Sequence, residues 1–248
     1  MSKVYIFDVD GTLTPSRQKL TEKFKKFFEQ WVLKNNFYLV TGSDLPKLQE
    51  QMNGMELHSS GIFTCCGNEY WQSDPAVHPK HCDLIYENKF KIPENLLTYL
   101  GYELRMTDYP VKAGNHIENR GSMLNFSMVG RNCTQIQRED YYRYDNLMGE
   151  RERISKHIRD QWKDLDAVIG GQISIDIYPK GKDKSQIFDI IQQERLVQAD
   201  EYIFIGDRTM KGGNDYPLAK LMDKTHNCSY YQTENPEQTQ QILESLND

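Results

Sequence analysis

Two aspartates one residue apart, Asp8 and Asp10, stand in the stretch FDVDGTLTP, just after the apolar run Val4 to Phe7 and just before Gly11. Carboxylates this close repel each other unless a cation lies between them or one holds a proton, so the pair implies a divalent metal, split pKa values, or both. A hard ion such as Mg2+ suits such ligands, because it takes one or two carboxylates and keeps positions for water and a substrate phosphate. A third aspartate, Asp207, follows a later apolar run, Tyr202 to Ile205, and is the expected additional ligand. Taken alone, Asp-x-Asp-Gly is more often a solvated turn than a site. Position reverses that balance here, since in an open parallel sheet the ligand crevice lies beyond the carboxyl ends of the strands.

The elements that must hold these residues can be read from the pattern. Val4 to Phe7 reads as a buried strand, Thr21 to Leu33 as an amphipathic helix with Phe24, Phe27, Phe28 and Val32 on one side, and Asn36 to Val40 as a second strand. With the late strand at Tyr202 to Ile205 this predicts two segments of one parallel sheet. Between them, Glu118 to Val129 and Ala167 to Tyr178 alternate polar and apolar residues as half-exposed antiparallel strands do, and Gly149 to Leu165 has helical spacing. The expected organisation is an α/β core from residues 1–79 and 183–248 with an α+β insert at 80–182, the boundaries set near Pro79 and Lys182 where Pro, Gly and Lys accumulate.

Composition narrows the partners. The 248 residues are 38% hydrophobic and 27% charged, enough to bury a substantial core in one or two domains. No apolar stretch approaches the roughly 20 residues of a membrane span, and Met1 to Phe7 lacks the apolar region of a signal peptide, so no membrane association and a cytoplasmic location are expected. Five cysteines without CxxC spacing argue against a disulfide framework and against structural zinc. A net charge of -6 disfavours nucleic acid, so any phosphate must be gripped by a local cluster of Arg or Lys.

Four pieces occur in order: DVDGT, VTGSD with Thr41, Gly42 and Ser43, GKDK with Lys184, and GDRTMKGGND with Asp207. Together they resemble the haloacid dehalogenase (HAD) superfamily of phosphotransferases, which implies a HAD-like Rossmannoid core with a parallel sheet plus an inserted cap domain. The resemblance implies that Asp8 is the nucleophile taking the phosphoryl group and Asp10 the general acid and base. It further implies that Thr41, Gly42 and Ser43 with Lys184 hold the phosphoryl oxygens, and that Asp8, Asp10 and Asp207 surround Mg2+. The insert adds ENRGSMLNFSMVGRNCTQIQR and GGQISIDIYPKGKDK, and with these the chain resembles the eukaryotic-type phosphomannomutase family over most of its length. That likeness implies a sugar-phosphate site made by Arg17, Arg120, Arg131, Arg138, Ser174, Asp176 and Asn214. Two departures stand out. CCGNEYW, from Cys65 to Trp71, replaces the family's Glu-Asn-Gly turn, and the residues after Asp215 do not keep the spacing of its peripheral metal loop, so no second ion is assigned from the sequence.

The residue types suit the implied task. Guanidinium forks bind phosphate oxygens in two-pronged fashion, and several converging forks make a site for a phosphate that is held and not transferred. Ser174 and Asp176, two apart on a strand, face one side, where a hydroxyl and a carboxylate can meet sugar hydroxyls. The competing reading of the arginines is a solvated sheet edge with ion pairs to Glu118 and Glu139. Three functions follow: a phosphohexomutase interconverting the 6- and 1-phosphates of mannose or glucose with hexose 1,6-bisphosphate as activator, a sugar-phosphate phosphatase using the same aspartyl-phosphate, and a non-catalytic sensor. The intact acidic motifs and Lys184 argue against the sensor. A homodimer through the cap is the expected assembly.

Overall fold

The computed structural model describes residues 2–73, 81–193 and 199–246. The chain divides into two compact units, one made of Met1–Glu87, Asp183–Lys211 and Asp215–Asp248, the other of Asn88–Lys182 with Gly212–Asn214. The boundary expected near Pro79 lies outside the described residues. The division itself falls after Glu87, because the strand Cys82–Glu87 still pairs within the first unit's sheet.

In the first unit the strands are β1 (Lys3–Phe7), β2 (Asn36–Val40), β3 (Gly61–Thr64), β4 (Glu69–Ser73), β5 (Cys82–Glu87), then, after the second unit, β10 (Glu201–Gly206) and β11 (Cys228–Gln232). They form a sheet in the order β11-β10-β1-β2-β3-β4-β5. The five strands from β11 to β3 run parallel, and β4 and β5 are antiparallel additions. Val4 to Phe7 is apolar throughout because helices cover both faces of this central strand. Tyr5 and Phe7 face α1 (Glu22–Trp31), α2 (Leu45–Met52) and α8 (Pro236–Leu246), while Val4 and Ile6 face α6 (Gln186–Gln193) and α7 (Tyr216–Lys224).

Helix α1 starts where Thr21 accepts a hydrogen bond from the Phe24 N–H and buries Phe24, Phe28 and Trp31. Aromatic edge-to-face contacts, Trp31 with Tyr5 at 4.8 Å and Phe28 with Phe37 at 5.4 Å, weld it to the sheet. The helix stops two residues before the expected Leu33, which is 69% exposed and has no apolar surface to cover.

The second unit contains α3 (Glu94–Met106), β6 (Ile117–Asn119), β7 (Leu124–Ser127), α4 (Gln135–Met148), α5 (Glu150–Gln161), β8 (Leu165–Gly170) and β9 (Ser174–Pro179). Its sheet is antiparallel in the order β6-β7-β9-β8. Each expected alternating stretch is a pair of strands, since turns at Arg120 to Met123 and Gly171 to Ile173 interrupt them without breaking the alternation. Leu124, Phe126, Ile175 and Ile177 face a core shared with Leu96 and Leu100 of α3, Tyr141 of α4 and Ile154 and Ile158 of α5. Alternation then sends Asn125, Ser127, Ser174 and Asp176 to the opposite face.

Helix α4 is one of several helices that the sequence reading did not name, and its reason is specific. Its buried positions are Arg138, Tyr141 and Asp145, so the inward stripe is largely polar and carries no apolar period. A capping box, Thr134 accepting from Gln137 N and Gln137 accepting from Thr134 N, marks its start. Asp145 is paired with the buried Arg151 at 2.7 Å, joining α4 to α5.

Candidate active site

Asp8 follows the last residue of β1 and is 3% exposed, with its backbone N–H tied to the Ile205 carbonyl of β10 at 3.0 Å. Thr12 donates to one carboxylate oxygen at 3.1 Å and Lys184 to the other at 2.6 Å. The Lys184 ammonium is fully buried and also reaches Asp215 at 2.7 Å. Asp8, Asp207 and Asp215 each offer an oxygen within 4.8 Å of the others, a set of hard donors suited to a divalent cation. Glycines make room for this crowding: at Gly11, with φ of 87°, an added Cβ would stand 2.6 Å from an Asp207 oxygen, and at Gly206 one would stand 2.7 Å from an Asp215 oxygen.

The electrostatics follow from packing the Asp8 and Asp215 carboxylates around the buried Lys184 ammonium, with the partly exposed Asp207 beside them and 3.5 Å from Arg208 Nε. Burial raises the Asp8 carboxyl to about 7, with Lys184 pulling it down and Asp215 and Asp10 pushing it up. Burial, Asp8 and Asp215 push Asp207 well above the usual carboxylate range. Burial works against the Lys184 charge, yet Asp215 and Asp8 hold its pKa well above the ordinary lysine value. Close-set oxygen donors whose ionised forms repel one another are what a hard divalent ion would stabilise.

Asp10 lies beside this group and not in it. Its carboxylate accepts from the Arg17 backbone N–H at 2.5 Å, Gln51 Nε2 at 2.9 Å and Ser43 Oγ at 3.3 Å. Of the expected carboxylates Asp8, Asp10 and Asp207, the side chains of Asp8 and Asp207 cluster with that of Asp215, while the Asp10 side chain points toward α2 and the loop after β2. Asp215 closes the GDRTMKGGND stretch, and its acidic type two residues beyond two glycines was the available signal. Gln51, one helix away on α2, had none. Thr41 and Ser43 are buried at the end of β2, where Ser43 N donates to Thr41 Oγ1 at 3.0 Å and Gly42 lies between them. Arg17 sits at φ of 59°, an uncommon conformation for its type, held by the bond from its N–H to Asp10.

The second unit builds a charge centre of its own. Arg120 bonds Glu118 through Nε at 3.0 Å and through its terminal nitrogen, and Arg131 Nε lies 3.4 Å from the same Glu118 oxygen. Arg131 also donates to Ser174 Oγ at 2.8 Å, and Asn125 donates to Asp176 at 2.6 Å. Gly170 allows Asp176 to sit close, since an added Cβ there would stand 2.3 Å from its carboxylate. Arg120, Arg131, Ser174 and Asp176 are therefore brought together on one sheet face. Arg138 is buried on α4, and Asn214 groups with this unit. The ion pair to Glu118 foreseen for a solvated edge exists, but the arginine side chains are only 5% and 7% exposed, and Glu139 accepts from Gln135 instead. Asn125 is a member that spacing alone did not single out, whereas Glu118 was named only as an arginine partner. Cross-strand register places them, with Glu118 opposite Asn125 and Asn125 opposite Asp176.

Comparison with known proteins bears on both centres. The model of the eukaryotic phosphomannomutase family matches residues 21–248, which takes in every element after the Asp8 turn. The chain is 38% identical to a phosphomannomutase of Encephalitozoon cuniculi over 225 residues, covering 89% of this chain and 85% of that protein. It belongs to the eukaryotic phosphomannomutase family. A phosphomannomutase of Drosophila melanogaster is 32% identical over 244 residues, covering 97% of this chain and 94% of that one. Its relatives are enzymes, phosphohexomutases by name, and so is this chain. The fold is shared more widely. A haloacid dehalogenase-like hydrolase from Bacteroides thetaiotaomicron superposes with a TM-score of 0.58 at 16% identity, over 99% of this chain and 100% of that one. The IMP-bound IMP-nucleotidase of Plasmodium falciparum superposes with a TM-score of 0.65 at 18% identity, over 99% and 68%. No described helix is long and apolar enough to cross a membrane.

Proposed function

We propose that this enzyme moves a phosphoryl group between the 6- and 1-positions of mannose or glucose, primed by a hexose 1,6-bisphosphate, with Asp8 carrying the phosphoryl group between the two half-reactions. The observation that carries this is the buried contact of Lys184 with Asp8, which aims a carboxylate at the crevice beside a fixed cation. An Asp8 oxygen forms a bond to phosphorus as the bond from phosphorus to the sugar oxygen breaks, and Asp10 delivers a proton to the departing oxygen. In the second half-reaction Asp10 takes the proton from the incoming sugar hydroxyl, whose oxygen attacks the phosphoaspartate. Lys184 offsets charge on the equatorial oxygens, and Thr41, Gly42 and Ser43 line the end of β2 to receive them. Asp8, Asp207 and Asp215 hold Mg2+, which when bound neutralises the dianion's approach to a carboxylate.

Within the second unit, Arg120, Arg131 and Arg138 grip the phosphate that stays, and Ser174 and Asp176 receive sugar hydroxyls. Incubation with mannose 1-phosphate and catalytic hexose bisphosphate, followed by phosphorus NMR, tests the assignment. Accumulation of the 6-phosphate supports it, and inorganic phosphate as the main product would make the protein a phosphatase working through the same aspartate.

A further inference from the structure

The sheet face that carries Ser174 and Asp176 also holds the buried polar side chains of Ser127 and Asn125. Asn125, on β7, stands directly opposite Asp176 on β9 and is 3% exposed. Its Nδ2 donates to Asp176 Oδ1 at 2.6 Å. A carboxylate accepts and does not donate, so this bond sets the orientation of the Asn125 amide and directs Oδ1 away from Asp176. That oxygen is buried and has no hydrogen-bond partner.

The neighbours on this face are differently placed. Ser127 Oγ accepts from Gly130 N at 3.2 Å, Ser174 Oγ accepts from Arg131, and Glu118 is engaged by Arg120 and Arg131. Arg131 Nε, which reaches into the same face, is a buried donor without a hydrogen bond. A buried acceptor left over beside a bonded serine and carboxylate is unfavourable unless a ligand supplies the missing donor. A sugar hydroxyl does so, because it donates and accepts at once.

We propose that Asn125 is a specificity-determining residue whose Oδ1 accepts a hydrogen bond from one ring hydroxyl of the bound hexose phosphate, with its Nδ2 bond to Asp176 keeping the amide in register. The inference rests on the sugar-phosphate reading above and deepens it by naming the residue that reads the ring. A site built to pair with a hydroxyl rejects the analogue lacking it, because the acceptor is then left buried and unmatched.

The test compares the full-length wild-type enzyme with Asn125→Ala and the near-isosteric Asn125→Leu on mannose 6-phosphate, glucose 6-phosphate and their 3- and 4-deoxy analogues, 2-deoxyglucose 6-phosphate completing the set. Thermal melts select the variants that remain folded. The substitution lowers kcat/KM on the natural sugar on the order of tenfold, and for one deoxy sugar, already poor for wild type, wild type and variant converge. An equal fall on every sugar, or no fall, overturns the inference. Failure of the wild type to isomerise any hexose phosphate is a failure of the functional reading instead. In that event calorimetric binding of the same sugars to wild type and Asn125→Ala decides, and absence of binding or a uniform loss across the series overturns the proposal.

Discussion

The two units concentrate charge of opposite sign by opposite means. In the first, three carboxylates crowd one ammonium at the ends of parallel strands, and burial raises the pKa of Asp8 and Asp207. In the second, two guanidiniums converge on the single carboxylate of Glu118 across an antiparallel sheet. One centre gathers carboxylates around a lysine, and the other gathers two arginines around Glu118 with Asp176 on the same face. The difference also teaches how each fold supplies its site. Parallel strands deliver side chains at their carboxyl ends, where chain turns such as Gly11 and Gly206 allow close approach, whereas the antiparallel sheet delivers them across its face by register.

Removing the nucleophile is the largest break in this comparison. Asp8→Asn lowers turnover by about a thousandfold or more while the melt stays close to wild type, because one buried charge is lost among three. A variant retaining a tenth of the activity would end the assignment. Next in size, chelation of divalent cations silences turnover, and Mg2+ added to the apo protein raises the melting temperature through binding to the folded state alone. Asp215→Ala should abolish that rise, since it removes a member of the carboxylate group and a partner of Lys184. A rise that persists unchanged would place the ion elsewhere.

The cap gives the third test. Arg131→Ala removes charge-assisted bonds worth about 1.5–3 kcal/mol, so isomerisation weakens on the order of tenfold to a hundredfold. Hydrolysis of p-nitrophenyl phosphate, which has no second phosphate, falls far less. Equal losses in both assays would mean that the arginine serves folding, and the contrast between a transferring and a holding centre would collapse.

The smallest effect concerns stability of the second unit. Burial tends to raise the Glu103 carboxyl, but its two bonds from the Arg153 guanidinium outweigh this and hold it below the usual value. A carboxyl lowered in the folded state stabilises above its unfolded pKa, about 4.3, and loses that contribution as pH falls through the folded value. Melts between about pH 5 and 3 should therefore drop more steeply in wild type than in Glu103→Gln. Parallel curves would show the pair to be neutral, as ion pairs with a half-exposed arginine often are.

Much of this was legible in order along the chain. The apolar runs that become β1, β2 and β10 are continuous because helices cover both faces, and each ends in the residues that matter, Asp8, Thr41 and Asp207. The arginines, Ser174 and Asp176 were legible as types in a pattern. Helix α4 was not, because its inward residues Arg138 and Asp145 are polar and their burial depends on partners elsewhere, as with Asp145 and Arg151.

What only the tertiary structure decided is which residues meet. Lys184 reaches Asp8 across 176 positions and Asn125 reaches Asp176 across 51, distances over which local pattern carries no information. The Asp215 side chain joins Asp8 and Asp207 while that of Asp10 turns to Gln51 and Ser43, because a turn, not a spacing, sets where a carboxylate points. Glu118 and Asn125 entered the second centre through strand register, where a shift of one residue would have turned both into the apolar core. The sequence by itself determined the elements and the chemistry available at their ends; packing, register and turn geometry determined which charges share a centre.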